Sequence, residues 1–176
     1  IHYAINSIAN LPKEIQKDVM LNVVGEGGYM STLQHLASEL EIDEFVKFHG
    51  RADDESLQEI YHNSRIHLMP TTRQEGLPLT ILEGMAYGLA TIASDIGGIP
   101  GVITNDIDGI LTEPGNQNQL NQALSDLLAN EGKIATIGKA ARDTAEKRYS
   151  KQRMVEETLQ VLIEAVEKNS LEKISS

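Results

Sequence analysis

"IHLMPTTRQEGLPLTILEGMAYGLATIAS", residues 66–94, carries the plan of the whole chain in one stretch. Ile66 to Pro70 is a short apolar run of buried-strand length. A helix is expected from about Pro78 to Tyr87. Proline suits a first helical turn, whose N–H groups have no intrahelical partner, and Gly88 suits the stop. "ATIAS", residues 90–94, reads as the next strand. Strand, helix, strand in this order is a parallel crossover unit.

The same alternation extends both ways. On the amino-terminal side, Ile1, Ala4, Ile5 and Ile8 have helical spacing, ended by Leu11-Pro12. Val19 to Val24 is an expected strand, followed at once by "GEGG". A helix fits Ser31 to Leu40, a strand Phe45 to Phe48, and a helix capped by Asp53 or Asp54 carries Leu57, Ile60 and Tyr61. On the carboxyl-terminal side come "DIGGIPG", a short helical turn around Val102, and the strand "GILT". Helix then runs from Asn118 to about Glu167, with breaks near Asn130–Gly132 and Tyr149-Ser150, and "KNSLEKISS" is expected to fray. Five strands alternating with helices make an α/β fold with a mainly parallel, doubly wound sheet. No linker or repeat divides the chain, so residues 1–176 are read as one domain.

Composition removes several functions. The chain has 176 residues and a net charge of −11, which repels duplex nucleic acid and anionic membranes on average. It has no cysteine, hence no disulfide and no thiolate metal site. Aromatic residues are 4% and tryptophan is absent, so recognition by base stacking along a strand of nucleic acid is not expected. No apolar run approaches the ~20 residues of a membrane span. His2, His35, His62 and His67 show no metal-ligand spacing, and a lone His49 beside a strand end reads as structural.

In open α/β sheets, ligands bind beyond the carboxyl ends of the strands. Four polar loops fall there: "GEGG", "HGR", "TTRQEG" and "SDIGG". In the third, the backbone N–H groups of Gly76, Leu77, Leu79 and Thr80 at the helix start make an anion site suited to phosphate. Gly76 permits close backbone approach. Glu83, one turn on, can accept two hydrogen bonds from a vicinal diol such as ribose. Glu75, on the other side of the phosphate site, can hold hydroxyls of whatever the phosphate carries. The competing reading is two acids that merely favour a helix N-terminus; "GLP" between them and a strand before them favour a site. Gly25 and Gly27 of "GEGG" are either ligand contacts or a plain turn. Arg51 meets a base or phosphate, or is a solvated loop cation, and Arg73 poses the same alternative.

Taken together, "GEGG", "LASELEIDEFVKFHGR", "MPTTRQEGLPLTILEGMAYGLATIASDIGGIPGVI" and "DGILTEPGN" resemble the carboxyl-terminal half of a GT-B glycosyltransferase, group 1 or family 4. The resemblance is firm from about Val19 to Gly115 and looser in the helices that follow. It implies a Rossmann-like domain that binds a nucleotide-sugar donor, most often a UDP-sugar. Glu83 would bind the ribose, and Glu75, the catalytic candidate, would face the donor sugar. Gly76, Leu77 and Leu79 would meet the diphosphate or sugar, and the segment from Phe48 to Arg51 the base. "GEGG" would border the same cleft. Transfer would retain configuration and need no metal or other cofactor. Polysaccharide or glycolipid synthesis would be its setting, on the cytoplasmic face of a membrane touched through another domain.

The chain departs from the family pattern at three places. A first central strand with an arginine–lysine pair would precede Ile1, and an amino-terminal acceptor domain would precede that strand. Gly101 stands where the family usually has glutamate. The expectation is therefore a segment of a longer two-domain protein, inactive by itself, whose sheet is interrupted where the first strand belongs. Two other functions compete: a nucleotide-binding or regulatory module without chemistry, and a nucleotide-sugar epimerase of the same fold. A nicotinamide-dependent dehydrogenase ranks last, because its glycine fingerprint is absent.

Overall fold

The structure, a computed structural model, describes residues 1–174. Its first half comprises α1 (His2–Ala9), α2 (Lys13–Gln16), β1 (Leu21–Val24), α3 (Met30–Glu39), β2 (Val46–Gly50) and α4 (Asp54–His62). The second comprises β3 (Ile66–Met69), α5 (Leu79–Ala86), β4 (Ala90–Ser94), β5 (Ile110–Thr112), α6 (Gln117–Leu128), α7 (Glu131–Arg148) and α8 (Lys151–Ile174). Single 3₁₀ turns lie at Asp43–Phe45 and Ile99–Gly101.

The helix stops follow local chemistry. Asp53 caps α4 by accepting from Ser56 N at 2.9 Å. Asn116 and Asn130 cap α6 and α7 in the same way, so the expected break near Asn130 is a cap, and the break at Tyr149 separates α7 from α8. α2 was not expected. Pro12 starts this single turn, and its buried Gln16 is satisfied by donating to Ile8 O at 2.7 Å. α8 is assigned as far as Ile174, and the end of "KNSLEKISS", residues 175–176, lies outside the described residues.

All strand pairing is parallel, but the strands form two sheets, β1-β2 and β3-β4-β5. β1 and β3 each keep one edge without a partner strand among the described residues. Along the chain, the division into two sheets falls between β2 and β3.

β4 is buried along its whole length, and successive residues feed opposite faces. Ala90 and Ile92 join a core with Ile5, Ile8, Leu33, Leu120 and Leu124 from α1, α3 and α6. Ala93 joins a second core with Ile81, Met85, Ile99, Val102 and Ala141 from α5, the 99–103 segment and α7. Helices thus cover both faces of this sheet, the doubly wound layering expected of an α/β chain. Among the described residues, neither core includes one from α8, on which Met154, Val155, Leu159 and Leu162 are exposed. Among the described residues, no helix is long and apolar enough to cross a membrane.

Candidate functional site

Beyond Met69, the last residue of β3, the chain crosses the carboxyl end of the sheet before turning into α5. Pro78 is buried and sits at the N-cap with φ −73° and ψ 107°, one position earlier than expected. Its extended ψ is what a cap residue adopts, and its missing N–H is still harmless. Ile81 N closes the first turn on Pro78 O at 3.0 Å. The N–H groups of Gly76, Leu77, Leu79 and Thr80 donate no hydrogen bond within the described protein, and all four residues are exposed. Four free donors at the positive end of a helix dipole form a ready site for an anion.

The loop is held by backbone rather than by side chains. Gly98 N donates to Glu75 O at 2.8 Å. A Cβ on Gly98 would fall on Gly76 O, and one on Gly97 on Glu75 O. Gly97 also has φ +61°. Gly97 and Gly98 are thus glycines because the backbone of Glu75 and Gly76 lies against them. Around a Cβ on Gly76 there is open space, room on the side where a ligand would sit. "DIGG" is glycine-rich because another loop lies on it.

Gly101 also has open space at its Cβ, so nothing steric requires glycine there. Its carbonyl accepts from Tyr149 Oη at 3.1 Å, and Ile99, Val102 and Ile103 are buried on either side. The segment is anchored without the expected glutamate. The loop after β5 reaches the same rim, since a Cβ on Gly115 would touch Thr72.

Glu75 is half-buried, and its carboxylate has no hydrogen bond or ion pair among the described residues. Glu83 is exposed on α5, and its Oε2 accepts from Tyr61 Oη at 2.9 Å. Tyr61, at the end of α4, stacks on Tyr87 with centroids 5.0 Å apart and planes 14° apart. Burial first, then the Glu83 hydrogen bond and charge, pushes the Tyr61 phenol above its ordinary value. Sequence reading placed Tyr61 only on a helix face. The available signal was Tyr87 four residues after Glu83, which puts a ring and a carboxylate on one side of α5.

The loops after β1 and β2 form a second pair. Gly25, at φ +130°, donates its N–H to Gly50 O at 2.7 Å. Gly27 has no atom near its missing Cβ and lines open space. Arg51 pairs with Glu26 at 3.6 Å, but both side chains are largely exposed, so the pair is weak and easily exchanged. His49 Nε2 lies 2.8 Å from Asn22 Oδ1, joining β2 to β1, and burial lowers its pKa. That is the structural role expected of it. Among the described residues, Arg73 forms no ion pair and no three His, Asp or Glu side chains gather as metal ligands.

Every sequence-derived candidate thus lies in a loop after a parallel strand or in the first two turns of the helix that follows. A family model described as glycosyl transferases group 1 matches residues 1–144. The chain belongs to the group 1 glycosyl transferase family. A GDP-mannose-dependent monoacylated alpha-(1-6)-phosphatidylinositol monomannoside mannosyltransferase of Corynebacterium glutamicum is 31% identical over 151 residues, covering 82% of this chain and 39% of that protein. An uncharacterized glycosyltransferase of Haemophilus influenzae is 34% identical over 118 residues, covering 66% of this chain and 32% of that one. The chain spans well under half the length of these curated relatives. In fold it is similar to Anabaena HepE, solved in complex with UDP, with a TM-score of 0.84, 23% identity, and coverage of 93% and 44% of the two chains. The Rossmann-like, parallel α/β arrangement of a GT-B glycosyltransferase is therefore the one observed.

Proposed function

We propose that this group 1 chain forms the donor side of a glycosyltransferase, binding a nucleotide-diphosphate sugar across the start of α5. The observation that carries the reading is the set of four free N–H groups at Gly76, Leu77, Leu79 and Thr80, with Glu75 before them and Glu83 one turn after. The donors take the diphosphate, Glu83 takes the ribose diol, and Glu75 faces the sugar. Gly25, Gly27 and Arg51 border the cleft on the side of the base.

In the transfer step, the bond between the anomeric carbon and the phosphate oxygen breaks. The electron pair leaves with the diphosphate, where the preorganised N–H groups stabilise the growing charge. The acceptor hydroxyl oxygen forms the new bond to that carbon, and its proton passes to the departing phosphate oxygen. The reading includes retention of configuration, no metal requirement, and a polysaccharide or glycolipid product. UDP is the preferred nucleotide, supported by the UDP complex of the Anabaena neighbour; the name of the Corynebacterium relative keeps GDP as the alternative.

Calorimetric titration of UDP, GDP and ADP into the protein, wild type beside Glu83→Ala, tests this. One nucleotide is expected to bind, with at least tenfold loss in the variant. Absence of binding by all three overturns the donor-site reading.

A further inference from the structure

We infer that Tyr61 is a positioning residue for Glu83, holding that carboxylate in the geometry that receives the nucleotide's ribose. The inference rests on the donor-site reading and adds to it a residue outside the loop and helix that form the site.

Glu83 is exposed on a helix surface, where a glutamate samples several rotamers. Fixing such a side chain costs rotamer entropy. A binding carboxylate fixed beforehand does not incur that cost when ligand arrives. Tyr61 supplies the constraint through its 2.9 Å hydrogen bond to Oε2. The tyrosine is itself held, because its ring stacks on Tyr87, whose face or edge also meets the ring of His62 with centroids 4.9 Å apart. Tyr87 follows Glu83 by one helical turn, so the stack that fixes Tyr61 is built on the same helix as the acid it serves.

The valence count leaves room for substrate. A carboxylate has about four lone-pair sites. The phenol uses one on Oε2, so Oε1 and the rest of Oε2 can accept both hydroxyls of a vicinal diol. A phenol is protonated at neutral pH, and burial beside Glu83 moves Tyr61 further from losing its proton. Tyrosine is suited to this because an O–H is required and the ring must stack; phenylalanine keeps the stack and loses only the hydrogen bond.

The experiment compares Tyr61→Phe, Glu83→Ala, the double variant and wild type. Probes are whichever of UDP, GDP or ADP binds wild type, and the 2′,3′-dideoxy form of the same nucleotide. Thermal melting checks that each variant is folded. Tyr61→Phe is expected to weaken the ribonucleotide about five- to tenfold and leave dideoxynucleotide affinity unchanged. The double variant should bind no worse than Glu83→Ala. Equal weakening of both nucleotides, or additive losses in the double variant, overturns the inference and makes Tyr61 a general structural residue. Loss with Glu83→Ala but none with Tyr61→Phe overturns it while the donor-site reading stands. If no nucleotide binds wild type, both fall.

Discussion

Gly98 does its work by lacking a side chain. Its backbone is seated on that of Glu75 and Gly76, and its N–H holds the Glu75 carbonyl. Gly98→Ala must push the two loops apart, because the obstructing atom is a backbone carbonyl that cannot rotate away. We expect a stability loss of about 1–3 kcal/mol in urea unfolding, with nucleotide affinity falling at least tenfold. Gly101→Ala, with open space around its Cβ, should change neither by a measurable amount.

His67 offers a second test at the same scale. Its Nδ1 is buried without a partner, and burial pushes its pKa down to about 4. The unfolded chain binds this proton near pH 6.5 and the folded chain does not, so stability is fully present above 6.5 and lost as pH falls toward 4. The slope is about 1.4 kcal/mol per pH unit. Unfolding free energies of wild type and His67→Gln, measured from pH 7 to pH 5, should diverge in slope over that window, with the variant flatter. Identical slopes would show that His67 is solvated.

Among the elements, α1 is fastened to α6 by a polar hook as well as by apolar packing. Gln117 Nε2 donates to Ser7 Oγ at 2.8 Å, and the fully buried Ser7 donates to Asn121 Oδ1 at 2.8 Å. Gln117→Ala should cost about 1–2 kcal/mol, and its combination with Ser7→Ala should show a coupling near 1 kcal/mol. Simple additivity in chemical denaturation would disprove the link. This network joins residues more than a hundred positions apart, and no periodicity encodes such a partnership. Partnerships between separate elements likewise set the roles of Tyr61, Gly97 and Gly98, over about twenty positions. Local rules did reveal the elements themselves. Proline and glycine bracket α5, asparagines cap α6 and α7, and "ATIAS", small and β-branched with no charge, gives the fully buried β4. The candidate site was legible to the extent that it is backbone after a strand. Which loop braces which was not, because that depends on contacts between strands distant in sequence.

For the whole molecule, the interrupted sheet sets where the backbone is best protected. β4 is paired on both sides and buried, whereas β1 and β3 each present one edge with no partner strand among the described residues. Amide hydrogen exchange should therefore be slowest in β4, limited by global unfolding, with amides on the free edges of β1 and β3 at least a hundredfold faster. Equal protection of those edge amides would mean that another strand covers them in solution. The net charge of −11 belongs to the same picture. On the donor-site reading, binding of the diphosphate then falls to backbone N–H groups and helix dipoles rather than to a basic surface.

The seating of Gly97 and Gly98 on Glu75 and Gly76 also limits how this protein can be recombined with its relatives. The loop after β3 and the loop after β4 form one interlocking part, although α5 and β4 separate them in the sequence. A chimera that imports either loop alone inherits a mismatched contact surface and should lose the α5 site even when every residue of the imported loop is suited to its ligand. Workable crossover points lie before β3 and after the turn at Ile99–Gly101, so that the two loops travel together as a single cassette.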